Sequence, residues 1–220
     1  MKKKIFLYIG ISIVSISIVA SVSLISNDGK EKFNTLALPE LEFTYDDSNS
    51  KLKEKLEFFD ISMSNPFKFI NRNYLEEFCT FFENEELQNQ VDYCTSTELR
   101  DSEGKYLGNI HMVGSRQMPK IILALIQTDP FMQNLDDVKT VYNVVIEDLV
   151  CDCWNEEQPG DIQTVARWVD KQRDFHTSDT KPTSDTKPTS KSNLSLSGMQ
   201  LQIELTTNTE GYLWKLLISG

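Results

Sequence analysis

Apolar residues run without interruption through one long segment near the start of the chain and recur periodically in shorter segments after it. The long segment, Ile5–Ile25, contains no charged residue and no proline. As a helix it would span about 31 Å, close to the hydrocarbon thickness of a bilayer. Because backbone polar groups in lipid need partners within their own segment, the pattern predicts a single transmembrane helix.

A cleaved signal peptide is the alternative interpretation of this segment. Lys2–Lys4 would form its basic region and Ala20–Ser23 its small-residue cleavage site. Length favours an anchor, because secretory apolar cores usually run for about 7–15 residues and this one continues further. In both interpretations the lysines hold residues 1–4 in the cytoplasm. We therefore expect a protein of the cell membrane, in contact with the bilayer through residues 5–25 and with its domain outside.

Shorter apolar patterns predict how the exported domain begins. Residues 26–50 are expected to be a tether, which Pro39 interrupts and which ends in polar residues typical of a turn. Apolar residues at helical spacing predict a short helix after Ser50. A second helix is expected over residues 74–85, with Asn73 as its cap.

Alternating apolar residues separated by turn residues predict two hairpins and one further strand. In the turn of the first hairpin, Gly104 is free to take a positive φ angle. The further strand is expected to pair with the first hairpin. The predicted strands are Val91–Leu99, Lys105–Val113, Ile121–Ile126, Met199–Leu205 and Tyr212–Ile218.

The longest predicted helix begins after Asn134 and carries its apolar stripe as far as Cys153. A shorter helix follows over residues 161–174. The whole pattern predicts an α+β fold, in which an N-terminal transmembrane helix precedes a small antiparallel sheet packed with helices. The α+β domain is expected over residues 51–176, and a hairpin within residues 196–220 is expected to complete it.

Residues 177–188 are two identical copies of TSDTKP. Short tandem repeats of this composition cannot bury apolar surface, so a disordered loop is predicted over residues 177–195. An O-glycosylated spacer is the alternative, since Ser and Thr with Pro permit it. A tolerated loop expansion is preferred, because surface loops accept insertions at small entropic cost.

Charge excludes one class of function. The chain carries a net charge of −11, and the part after residue 25 combines 33 acidic with 19 basic residues, a net of −14. Such a domain repels phosphate backbones and anionic lipid surfaces, so nucleic-acid binding is not expected. The hydrophobic fraction of 40% is enough for a packed core.

Four cysteines, Cys79, Cys94, Cys151 and Cys153, predict disulfides, because their number is even and the domain is exported. Pairing Cys151 with Cys153 is the least expected arrangement, since residues two apart on a helix point away from each other. Cys79 and Cys94 should therefore each bond to one of that pair. The sequence leaves open which bonds to which.

A metal site is the alternative use of these cysteines. Cys151 and Cys153, with the two histidines His111 and His176, could offer thiolate and imidazole ligands to zinc. The CxC spacing is not that of a zinc knuckle, so disulfides are preferred and no cofactor is expected. A redox role is disfavoured as well, because the predicted helix places CxC at its C-terminal end, where the dipole opposes a thiolate.

One possible catalytic cluster occurs in the first hairpin. Glu98 and Arg100 share a face of one predicted strand and His111 lies on the facing strand, so a base, a cation and an imidazole could converge. Such clusters are usually exposed cross-strand pairs, which argues against catalysis. The sequence contains no nucleophile elbow, P-loop or HExxH motif.

The stretches YCTSTELRD, LGNIHMVGS, VCDCWNEE and ELTTNTEGYLWKL resemble a family of short membrane-anchored archaeal proteins for which we know no activity or ligand. The resemblance covers about residues 93–214, without the repeat. It implies a shared fold and export, and it assigns no catalytic residue.

These observations favour a single-pass membrane-anchored extracytoplasmic protein that serves as a non-enzymatic binding or interaction module. Phe78, Phe81 and Phe82 encircle their predicted helix, so at least one is expected to be exposed and to be able to meet a protein partner. The alternatives are an anchored enzyme or metal-binding protein that uses Cys/His or Glu98/His111, and a subunit of a membrane complex.

Overall fold

The computed structural model describes residues 40–81, 85–178 and 189–220. Within them an antiparallel sheet is backed by helices, which confirms the predicted α+β class. The predicted anchor, most of the tether and most of the repeat lie outside the described residues. No helix in the described part of the chain is long and apolar enough to cross a membrane.

The helices and strands have the following bounds. The helices are α1 (Tyr45–Glu57), α2 (Arg72–Phe78), α3 (Glu85–Gln88), α4 (Leu135–Leu149), α5 (Trp154–Glu157) and α6 (Val165–Thr177). The strands are β1 (Ser62–Met63), β2 (Phe67–Phe69), β3 (Tyr93–Arg100), β4 (Tyr106–Gly114), β5 (Pro119–Thr128), β6 (Thr189–Leu196), β7 (Met199–Thr207) and β8 (Tyr212–Ser219).

Along the sheet the strands follow the order β1-β3-β4-β5-β8-β7-β6, with β2 also paired to β3. The C-terminal strand β8 pairs with β5 from Ile121↔Ser219 to Thr128↔Tyr212. The C-terminal hairpin thus completes the sheet, as predicted. We call the end at which β4 finishes and β5 begins the near end of the sheet, and the opposite end of these strands the far end.

Helices α1, α4 and α6 cover one face of the sheet and bury the main core. Tyr142 of α4, Trp168 of α6 and Trp214 of β8 are almost completely buried there. The opposite face holds a second, smaller core beneath the segment that includes α2. Both faces of the central strands are therefore packed, which explains the nearly continuous apolar run of β5.

Helix α1 begins at Tyr45, inside the predicted tether, so the tether boundary at residue 50 was wrong. The Thr44 hydroxyl accepts a hydrogen bond from the Asp47 amide at 3.3 Å and caps the helix. Asp46 and Asp47 lie in the first turn, where negative charge is favourable. The polar run that suggested a turn is the first turn of the helix instead.

Both ends of the disordered loop predicted over residues 177–195 are wrong, because they belong to a helix and a strand. Helix α6 continues to Thr177, and residues 189–195 belong to β6, which pairs with β7 along its whole length. Serines occupy two of the four inward positions of β6 and bond to α6: Ser192 accepts from the Trp168 indole at 2.8 Å, and Ser190 from Gln172 at 2.7 Å. Leu194 and Leu196 occupy the other two. With hydroxyls at half of its inner positions, the strand shows only a short apolar alternation, so the pattern concealed it.

The predicted helix over residues 74–85 is shorter than expected. Helix α2 ends at Phe78, with the Asn71 side chain rather than Asn73 as its cap. The first hairpin and the strand after it form as predicted, and Gly104 takes a φ of 78° in the turn.

Candidate functional site

The three residues of the possible catalytic cluster lie on one face of the sheet without converging. Glu98 forms an ion pair with Arg100, and its cross-strand partner is Asn109. His111 pairs across the strands with Ser96 instead. Its imidazole packs against Phe81, with 5.0 Å between ring centroids. The cluster is therefore an exposed ion pair beside a packed histidine.

His111 is held as a neutral residue. Its Nδ1 is sealed from solvent and has no hydrogen-bond partner among the described residues. Burial lowers the pKa of His111 from 6.5 to about 4. A neutral imidazole against an aromatic ring suits the second core, and among the described residues no cluster of His, Cys, Asp or Glu with metal-ligand spacing includes His111.

His176 has a structural role in α6. Its Nδ1 and Nε2 lie 2.8 Å from the hydroxyls of Ser190 and Thr207, which belong to the two outer strands. Burial lowers the pKa of this histidine too. Both ring nitrogens are engaged, and neither histidine meets the CxC segment, so the four weak metal candidates do not assemble.

The cysteines form two bridges, which confirms disulfides but corrects the predicted connectivity. Cys79 bonds to Cys94, and Cys151 bonds to Cys153, the pairing that we expected least. The expectation failed because α4 ends at Leu149, before either cysteine of the second pair. Glu147, Asp148 and Asp152 surround this helix end, and acidic residues disfavour continuation at a helix C-terminus.

The two bridges differ in their surroundings. Cys79 and Cys94 are completely buried in the second core, where they fasten the segment after α2 to β3. Cys151 and Cys153 are half-buried on the short connection between α4 and α5. Outside reagents therefore reach the second bridge far more easily than the first.

Glu157 completes a small cluster at the exposed bridge. Its Oε1 lies 3.4 Å from the Cys153 sulfur, and its Oε2 accepts a hydrogen bond from the Ser197 amide at 3.1 Å. The two sulfurs and the carboxylate lie within 4.8 Å of one another, a spacing that a metal ion could also use. Thiolates are needed for metal binding, so the bridge would first have to be reduced.

A second candidate surface lies on β2 and α2. Phe67 and Phe69 point to the same side of β2, the Phe69 and Phe78 rings stack with centroids 5.4 Å apart, and Tyr74 lies 6.2 Å from Phe78. The exposed fractions of Phe67, Tyr74 and Phe78 are 69%, 54% and 48%. We call these four residues the aromatic patch. Side chains of this kind mark contact surfaces when they gather in one place.

The aromatic patch lies at the near end of the sheet, where the described chain begins. The Leu41 amide donates to the Pro119 carbonyl at 2.8 Å, and the Tyr45 hydroxyl donates to the Ser115 carbonyl at 2.8 Å. Lys68 of β2, which lies between the two phenylalanines, forms a 2.9 Å ion pair with Asp46. The chain therefore arrives from its N-terminal side at the same end of the sheet as the patch, on the opposite face of β2.

Comparisons with protein-family models, with curated proteins and with solved structures give no match to this chain. The resemblance to anchored archaeal proteins therefore stays a prediction, and function has to be argued from the two surfaces just described.

The sequence contained part of the signal for each surface. The prediction that one of three phenylalanines is exposed holds for Phe78, while Phe81 is buried against His111. Phe67 and Phe69 were missed because a three-residue strand is too short for a periodic pattern. Glu157 was missed because the predicted helix ran through the CxC segment and left no reason to place a carboxylate beside it.

Proposed function

We propose that this chain is a single-pass membrane-anchored extracytoplasmic protein, that its domain is a non-enzymatic interaction module, and that the aromatic patch rests on the bilayer that holds the anchor. The observation that carries the proposal is the position of the patch at the end of the sheet where the chain arrives from its N-terminal side. Tyrosine favours the interfacial layer of membranes, because its ring is apolar and its hydroxyl can stay in water. Exposed phenylalanine rings add apolar area that can enter the boundary between headgroups and acyl chains.

The length of chain before the domain limits how far it can lie from the membrane. Fourteen residues, 26–39, separate the predicted span from the first described residue. Even fully extended they reach no more than about 50 Å. The end of the domain that is tied most closely to the bilayer is the near end, and the patch is the exposed apolar surface at that end.

Charge indicates which lipid surface the patch would meet. The exported part has a net charge of −14, so a strongly anionic surface would repel it. The basic residues beside the patch are already paired, Lys68 with Asp46 and Arg72 with Glu76. Docking would therefore depend on apolar contact with zwitterionic lipid and would change little with salt.

The proposal is tested by fluorescence quenching with the full-length chain in phosphatidylcholine vesicles whose acyl chains carry bromine. Tyr74→Trp places a reporter in the patch. Phe131→Trp is the matched control, because Phe131 is 82% exposed and follows β5 at the far end. The ten residues of β5 separate the two ends by about 30 Å. The native tryptophans are buried and give a common background.

We expect brominated lipid to quench Tyr74→Trp clearly more than Phe131→Trp, after subtraction of the unsubstituted protein. Equal quenching at the two positions would reject docking of the patch while leaving the anchor intact. The topology is tested separately with a reporter fused after Gly220. A cytoplasmic reporter would reject the extracytoplasmic placement whatever the quenching shows.

An anchored enzyme is a second candidate function, and the observation that favours it is the exposed Cys151–Cys153 bridge with Glu157 beside it. The structure removes the earlier objection to a redox role, because the bridge does not lie on α4.

A further inference from the structure

We propose that the Cys151–Cys153 bridge is a redox-active disulfide that oxidises pairs of cysteine thiols in basic peptide segments. In the balanced reaction, a substrate dithiol loses two electrons and two protons and becomes a disulfide. The protein bridge gains them and becomes two thiols. The inference rests on the second candidate function, an anchored enzyme, and not on the non-enzymatic module, and its test does not depend on the position of the membrane.

Access distinguishes this bridge from the other one. Thiol–disulfide exchange needs an attacking thiolate to approach one sulfur along the direction of the S–S bond. Cys79 and Cys94 are completely buried, so such an approach would require opening of the second core. Cys151 and Cys153 are half-buried on a surface connection and can be attacked without unfolding.

The bridge is also a poor structural staple. It joins residues two apart in sequence, whereas Cys79 and Cys94 are 15 apart. A disulfide constrains the unfolded chain less as the closed loop becomes shorter. The segment already has other fastenings, since the Trp154 indole donates to the Ile162 carbonyl at 2.9 Å and the Glu157 carboxylate accepts from Ser197.

Glu157 biases the equilibrium towards the reduced form. While the bridge is closed, the Cys153 sulfur has no proton to donate to the carboxylate 3.4 Å away. After reduction, the Cys153 thiol can donate a hydrogen bond to that charged acceptor, which exists only in the dithiol state. Stabilisation of the reduced form makes a disulfide a stronger oxidant. The Ser197 amide holds the carboxylate in place for this contact.

The surrounding charge selects the substrate. Residues 147–157 contain five acidic residues and no basic one. Among the described residues, Asp148 is the one acid of this segment that forms an ion pair with a lysine, Lys55. An acidic surface attracts cationic molecules and repels anionic ones, so cysteines flanked by Lys or Arg should react faster than anionic thiols.

The exchange step begins when a substrate thiolate attacks the sulfur of Cys151. In the sequence, Cys151 is farther from Glu157 than Cys153 is. A mixed disulfide forms, the Cys151–Cys153 bond breaks, and Cys153 leaves as a thiolate that takes a proton from water. The second substrate thiolate then attacks the substrate sulfur of the mixed disulfide. Cys151 leaves and is protonated in turn.

The test uses the full-length protein in detergent and two synthetic dithiol peptides that differ only in flanking lysines or glutamates. After reaction without denaturant, free thiols are alkylated and located by mass spectrometry. We expect modification of Cys151 and Cys153, protection of Cys79 and Cys94, and one peptide disulfide for each bridge opened. At low salt the lysine peptide should react about tenfold faster, and added salt should reduce the difference.

Two variants sharpen the result. Cys153→Ser, mixed with the oxidised lysine peptide, should form a mixed disulfide on Cys151, because the Cys151 thiolate attacks the peptide disulfide, a peptide thiolate leaves, and Cys153 is no longer present to resolve the product. Glu157→Gln keeps an acceptor for Ser197 but removes the charge, and it should lower the equilibrium constant for peptide oxidation about fivefold. An unchanged constant would reject the role of Glu157.

The whole proposal is overturned if the Cys151–Cys153 bridge resists the peptides as completely as the Cys79–Cys94 bridge does. It is also overturned if the purified protein carries free thiols at Cys151 and Cys153 together with one equivalent of zinc, because the cluster would then be a metal site.

Discussion

Burial of His111 should make the stability of the protein depend on pH in a way that one substitution removes. Burial lowers its pKa from 6.5 to about 4, so the unfolded chain binds a proton between these values and the folded protein does not. The free energy of unfolding therefore rises with pH in this range. The stabilisation is complete above pH 6.5 and is lost progressively as the pH falls towards 4.

The size of the effect follows from the two pKa values. At pH 5 the histidine is almost fully protonated in the unfolded chain and almost fully neutral in the folded protein. The free energy of unfolding at pH 5 is therefore lower than its value well above pH 6.5 by at most about 2 kcal/mol. Part of the residue remains accessible to water, so the measured value should lie at or below this figure. A loss of this size is a large fraction of the stability of an ordinary domain.

The measurement is urea unfolding of the full-length protein and of His111→Leu at pH 8, 6.5 and 5. Leucine keeps an apolar side chain against Phe81 and cannot titrate. We expect the parent to lose about 2 kcal/mol more than His111→Leu between pH 8 and pH 5. His176, whose pKa burial also lowers, is present in both proteins, so its contribution to the pH dependence cancels in the comparison. If parent and His111→Leu show the same pH dependence, His111 is not buried as a neutral residue.

Two further predictions concern the bridges and the glycines of the first hairpin. Replacing Cys79 and Cys94 together by Ala should lower the free energy of unfolding by about 3 kcal/mol, and the same change at Cys151 and Cys153 by only about 1.5 kcal/mol, from the lengths of the closed loops. Urea midpoints in the reverse order would contradict this. Gly108→Ala should cost about 3 kcal/mol or more, because a Cβ there would lie 2.0 Å from the Leu125 carbonyl oxygen. Gly104→Ala should cost only about 1 kcal/mol, since it strains a φ of 78° but meets no atom within 4 Å. Equal losses in thermal or urea unfolding would show that β4 and β5 can separate at Gly108.

The first hairpin and the C-terminal hairpin were predictable because their information is local. Tyr93–Arg100 and Tyr106–Gly114 alternate in burial, and a glycine with positive φ joins them. The nearly continuous apolar run of β5 also predicted a strand correctly, and the run is continuous because β5 is buried on both faces. Patterns of this kind need no knowledge of distant residues.

The misplaced boundaries have a common cause. Strand β6 and the start of α1 use hydroxyl groups where the patterns expect apolar or turn residues, and those hydroxyls are satisfied by partners elsewhere. Ser190 bonds to Gln172, and the Ser48 hydroxyl donates to the Thr44 carbonyl at 2.7 Å. Side-chain bonds of this kind become visible only when both partners have been placed.

The predicted disulfide connectivity was wrong for a different reason. The argument against a Cys151–Cys153 bridge was sound for a helix, and it failed because α4 ends at Leu149, whereas the predicted helix ran through the CxC segment to about residues 155–160. Boundaries are the least reliable part of a sequence-based prediction. Here the acidic residues at the end of α4 were an available signal, and they should have outweighed the continuing apolar stripe.

Three charged residues help to fix the register of β6, a strand with little apolar alternation. Lys191 of β6, Glu204 of β7 and Lys215 of β8 lie directly opposite one another, and Glu204 is 3.1 Å from each lysine. Lys215 is only 4% exposed, so this row is costly to desolvate and adds little net stability. A slip of one residue, however, would turn a charge towards the helix-covered core and separate it from its partners. The inward Leu194 and Leu196 of β6 pack against the main core, so their apolar contacts and the charged row together favour the native pairing over its neighbours.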